Sequence, residues 1–189
     1  GVTKGERAAF PQARVVALAE CGTHAMFAAK VGTYGQSEAT LTEPLLQALE
    51  PGMLLTADRA FFSYALWRRA IGTGADLLWR VRTDSAGPKP THLDDLADGS
   101  WLAHLRSNAT AAARRQEPML VRVVDYTIDD GRANAVSYRL FTTLTDPEEV
   151  SASELAAAYT HRWEIEVAFD ELKTHQRGPR TVLRSKSPD

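Results

Sequence analysis

A single cysteine, Cys21, stands among 189 residues, so no intramolecular disulfide holds this chain, and the usage suits a reducing compartment. Cys21 falls near an expected turn with no histidine at a catalytic spacing, and reads as a structural thiol. Long apolar runs are also missing: nothing approaches a membrane span, and no secretory leader is visible, which makes the cytoplasm the default. Charge of one sign is scarce overall, with a formal net charge of −2, so no global field demands a nucleic-acid partner. The five histidines show no metal-ligand spacing, and there is no P-loop, no G-x-G-x-x-G and no G-x-S-x-G. Aspartate is absent before residue 58.

What is present is an ordinary globular composition, 44% hydrophobic and 24% charged, with four Trp and six Phe for a core. The length supports one large domain or a domain with an insertion. Gly1 is not an initiator, and the final "RSKSPD" closes no element, which suggests a fragment of a longer protein. The last 17 residues, from Lys173, carry five Lys or Arg against one Asp. On charge alone that is a solvated tail.

Apolar runs around "CGTH" predict a β-hairpin from Ala13 to about Tyr34. "TLTEPLLQALE" predicts a helix opened by a Thr40–Glu43 capping box with Pro44 in its first turn. Met53 to Ala57 is nearly all apolar over a strand's length, as in a strand covered on both faces, and ends on Asp58. A helix in "FSYALWRRAIGTG" and a strand in "DLLWRVRT" follow. Residues 13 to 83 thus read β-β-α-β-α-β, a mixed sheet with flanking helices. A Pro-, Gly- and Asp-rich stretch opens a mostly β insertion over 84–150, in which Leu120 to Ile128 alternates like a half-exposed strand. Residues 1–83 are then the first part of a core that 151–189 completes. Ser151 and Glu154 form a second capping box, opening a helix expected to run to about His175.

That helix holds the chemistry. In "YTHRWEIEVAFDELK", Tyr159, Arg162, Glu166 and Lys173 fall within about 60° of arc at roughly 100° per residue. Ile165, Phe169 and Leu172 form the neighbouring stripe that would pack on the sheet. Taken alone, Glu166 is a surface partner for Arg162, and Asp58 is as good a helix N-cap as a ligand. Taken together, a strand-end acid could meet the helix acid at the sheet rim. At ~4 Å two carboxylates repel by about 4 kcal/mol at an effective dielectric near 20, so a cation belongs between them. Oxygen ligands favour Mg2+ or Mn2+, and such an ion commonly works on phosphate. Arg162, Lys173 and Tyr159 would grip the phosphates. Trp163, beside the row, packs or stacks on a base.

The pattern Tyr159-x2-Arg162-x3-Glu166-x6-Lys173 resembles the YREK signature of the insertion-sequence-4 family of DDE transposases. "LLTADRAFF" resembles that family's second-aspartate strand, placing Asp58 there and Arg59 just after it. The resemblance runs from about Phe10 to the end. It implies an RNase H-like core interrupted by the β insertion, acting in the bacterial cytoplasm on the nucleoid. It implies Mg2+-dependent cleavage and strand transfer at transposon ends by a homodimer on double-stranded DNA. Asp58 and Glu166 would be metal-binding catalytic carboxylates, with Tyr159, Arg162, Lys173 and Arg59 on the DNA phosphates. The family's first aspartate has no counterpart: Glu6 lies outside any expected strand, and Glu20 ends the wrong one. The chain is therefore expected to lack that ligand and to be inactive alone. The alternatives are a catalytically dead DNA-binding remnant and another RNase H-like metal-dependent nuclease.

Overall fold

The computed structural model describes residues 12–107, 109–128 and 136–163. Strands β1 (Ala13–Ala19) and β2 (Met26–Thr33) pair antiparallel as a two-stranded ribbon. Helix α1 (Glu38–Thr42) follows and passes into a 3-10 helix, Glu43–Ala48. The cap differs from the expected one. Ser37, not Thr40, receives the helix N–H, because Pro44 has no N–H for the α-helical ladder and tightens the chain at the point where the helix was expected to begin.

Strand β3 (Leu54–Ala57), helix α2 (Tyr64–Ile71) and strand β4 (Asp76–Val81) form a β-α-β unit in which β3 and β4 run parallel. Ser63 caps α2, so Asp58 is relieved of that role. Gly74, at φ +83°, makes the turn into β4 against Pro51, a conformation that L side chains rarely adopt.

The β-rich stretch joins the same sheet. β5 (Thr91–Asp95), β6 (Trp101–Leu105), β7 (Met119–Ile128) and β8 (Val136–Thr142) extend it to six strands in the order β3-β4-β8-β7-β6-β5, with β8 antiparallel to β4. A short helix, α3 (Ala111–Arg115), joins β6 to β7. Helix α4 (Ala152–Thr160) opens on the expected Ser151–Glu154 capping box and tightens into a 3-10 turn at His161–Trp163.

Two apolar layers cover the two faces of this sheet. Trp67 and Trp79, both fully buried and edge to face at 5.1 Å, centre the layer shared with α1, α2 and the ribbon. On the other face, Leu155 and Tyr159 of α4 pack against Leu78, Val124 and Leu140. The expected half-exposed alternation in β7 is therefore wrong in its middle. Residues 121–124 are buried on both faces because α4 lies on the second one, and Arg122 is buried with them.

Candidate active site

Asp58 is the residue after β3, and the β3–β4 register, which pairs Ala57 with Trp79, continues to set it beside Arg80. The Arg80 guanidinium comes within 3.7 Å of Asp58 Oδ1, with both side chains largely covered. Asp58 Oδ1 also accepts the backbone N–H of Arg59 at 2.7 Å, which orients the carboxylate, while the Arg59 side chain stays exposed. Arg80 in turn lies over the ring of Tyr138, 4.1 Å from its centroid, and Tyr138 stacks on Tyr126 at 5.3 Å. The cation–π contact and the carboxylate together hold a guanidinium inside an otherwise apolar strand.

The 3-10 turn that follows α4 completes the site. Arg162 and Asp58 line one cleft of about 340 Å3, together with residues 15–18 of β1, residues 55–57 of β3, and Glu38, Phe61 and Trp79 among others. Within the described residues β1 pairs only with β2, and β3 only with β4, so the cleft runs between two open strand edges. Arg162 also lies against the rings of Tyr159 and Trp163, at 5.6 and 5.1 Å. Trp163 is half exposed.

Tyr159 departs from the image of an exposed phosphate ligand. It is almost fully buried, and its hydroxyl has no hydrogen-bond partner among the described residues. Burial holds that phenol well above its ordinary range; the Arg162 guanidinium pulls it down and the Asp58 carboxylate pushes it up. The hydroxyl stays protonated and buried behind the cleft, whose lining does not include Tyr159. Tyr159→Phe is accordingly expected to leave stability within about 1 kcal/mol of the parent, since the buried hydroxyl it removes has at most a weak contact with the Arg162 guanidinium. If the hydroxyl meets a phosphate, the same variant binds DNA more weakly. Urea denaturation beside a DNA titration separates the two effects.

Asp58, Tyr159 and Arg162 thus gather at one place, with Arg59 at its rim. Glu166 and Lys173 lie outside the described residues. Sequence reasoning missed Arg80, Tyr126 and Tyr138. A basic residue breaking the apolar run of Leu77–Val81 was the available signal for Arg80; the tyrosines became visible only through strand pairing. Among the described residues no group of three His, Cys, Asp or Glu could hold a metal ion. Asp58 offers hard oxygen donors suited to Mg2+ or Mn2+, as one ligand of a set, with two guanidiniums nearby that a lone carboxylate would not outweigh.

A mixed sheet with helices on both faces, and an acid where a parallel strand ends with an arginine in the same cleft, is the build of an RNase H-like domain. The chain belongs to the transposase DDE domain family, whose model matches residues 3–187. It is also 28% identical over 185 residues to "Transposase InsG for insertion sequence element IS4" of Escherichia coli (strain K12). That alignment covers 98% of this chain and 41% of the relative, so the chain spans about two-fifths of the relative's length. No described helix is long and apolar enough to cross a membrane.

Proposed function

We propose that this chain is the larger part of a transposase catalytic core that cleaves transposon ends and joins them to target DNA, acting as a dimer on double-stranded DNA in the bacterial cytoplasm. The observation that carries the reading is the shared cleft of Asp58 and Arg162, which sets a strand-end acid beside the arginine of the YREK sequence pattern. Asp58 and Glu166 are the proposed metal-binding carboxylates. A divalent ion bound there, Mg2+ or Mn2+, would polarise the scissile phosphate and stabilise the attacking and leaving oxygens. The chain's own contribution is to orient Asp58 through the Arg59 N–H and to offer cations to the DNA backbone from Arg162, Lys173 and Arg59.

A third carboxylate would come from a further strand of the same transposase. The cleft between β1 and β3 supports this, since its two open edges can pair with an extended segment between them. Without that ligand the chain by itself would hold metal weakly and cut poorly. The Arg80–Asp58 contact favours one other reading, a DNA-binding remnant in which the acid is neutralised internally and no ion is needed. Supplying the upstream strand and assaying Mg2+-dependent nicking separates them: nicking that appears with the strand supports the enzyme, and its absence supports the remnant.

DNA binding has its own test. Arg162→Ala and Lys173→Ala should each flatten the salt dependence of binding to a DNA duplex by about one unit of slope. An unchanged slope in both would remove these residues from the DNA interface.

A further inference from the structure

We infer that the buried Arg122–Asp98 pair is a clasp that sets the position of helix α4, and through it of Arg162, over Asp58; its bearing on DNA rests on the function proposed above. Arg122 is fully buried in the middle of β7 and does not line the cleft. Its guanidinium donates Nε to Ser100 Oγ at 2.8 Å, Nη2 to Asp98, and Nη1 to the carbonyls of Val150 at 2.8 Å and of Leu144 and Asp146 at 3.3 Å. One side chain thereby ties the β5–β6 turn to the whole connector between β8 and α4. Asp98 carries the tie into the helix itself. It accepts the backbone N–H of Ala152, in the first turn of α4, at 2.6 Å, and is braced by the Ser100 hydroxyl at 2.5 Å and the Ser100 N–H at 3.1 Å.

The lever arm gives the clasp its consequence. Arg162 lies ten residues beyond Ala152, about 15 Å along a helix, so a tilt of about 10° at the first turn moves it by about 2.6 Å. That displacement exceeds the tolerance of a hydrogen bond. Packing of Leu155 and Tyr159 on the sheet resists sideways motion, whereas the clasp fixes where the helix starts. A planar five-donor guanidinium is suited to this, because it satisfies three carbonyls, a hydroxyl and a carboxylate from one buried point.

The test compares the double variant Arg122→Met/Asp98→Leu, in which the pair is replaced by apolar groups of similar size, with the milder Asp98→Asn, should the first fail to fold. Amide hydrogen exchange is read in α4 against β7 and β8. Binding to a short blunt-ended DNA duplex is read across salt, in the parent and in an Arg162→Ala background. The expected result is exchange at least tenfold faster in α4 than in the parent, with β7 and β8 preserved. The salt slope should fall by about one unit, and combining the variant with Arg162→Ala should add no further loss. Unchanged exchange in α4 overturns the clasp. So does an Arg162→Ala effect that persists in full on the clasp variant, because a purely structural pair would leave the two changes additive. If Arg162→Ala has no effect even in the parent, the DNA reading fails instead, and the exchange result alone decides the clasp.

Discussion

Replacing Asp58 with alanine, in the cleavage-competent transposase proposed above, is expected to reduce end cleavage by about a thousandfold or more while leaving DNA binding intact. A thousandfold is about 4 kcal/mol of transition-state stabilisation, in the range lost when one electrostatic contact to developing charge is removed. Binding should hold or strengthen because of the carboxylate's neighbours. Asp58 sits 3.7 Å from the Arg80 guanidinium and shares its cleft with Arg162. Removing a negative charge from that setting leaves the patch more positive toward DNA, and the salt dependence of binding should steepen. Cleavage rates and salt titrations on one preparation check both halves. Cleavage within tenfold of the parent would take Asp58 out of the chemistry.

Arg122→Ala is expected to be the most damaging single substitution for stability, at about 3–5 kcal/mol, because it leaves Asp98 nearly buried without its partner. Against a typical domain stability of about 5–15 kcal/mol, that loss brings the chain close to unfolding. The same carboxylate predicts a pH dependence. Burial pushes Asp98 up, but the Ser100 hydroxyl, the N–H groups of Ala152 and Ser100 and the Arg122 charge outweigh it, holding the group at about 2. A carboxylate depressed in the folded state stabilises the fold fully above its unfolded value, near 4. That contribution, about 2–3 kcal/mol, is lost as the pH falls from about 4 toward 2. Glu154 and Asp84, both lowered by hydrogen bonds to neighbouring side chains, titrate in the same direction at the surface. Urea denaturation of the parent against Asp98→Asn isolates the Asp98 share, and parallel curves below pH 4 would refute it.

Local chemistry accounts for much of what could be read in advance. The hairpin, the two parallel strands and the helix between them follow from short apolar runs bounded by turn residues, and Ser151 with Glu154 marks the start of α4 without any tertiary help. Asp58 was legible because an acid closing an apolar strand is conspicuous. The Thr40 cap failed for the same local reason that made it attractive: Pro44 was read as a first-turn residue, but its missing N–H shifts the helix start back to Ser37. β7 failed for a non-local one. Its period-two pattern predicts one wet face, and only the arrival of α4 from about 30 residues later dries it.

Periodicity, capping and residue type, then, were enough to set the hairpin, the β3–α2–β4 order, the start of α4 and the acid at the end of β3, since each depends on neighbours within a few residues. The tertiary structure alone decided that Arg80 stands beside Asp58, that the Tyr159 hydroxyl is buried, and that Arg122 reaches Asp98 from 24 residues away. Those outcomes depend on strand register and on which face a helix covers, and both are settled by long-range packing.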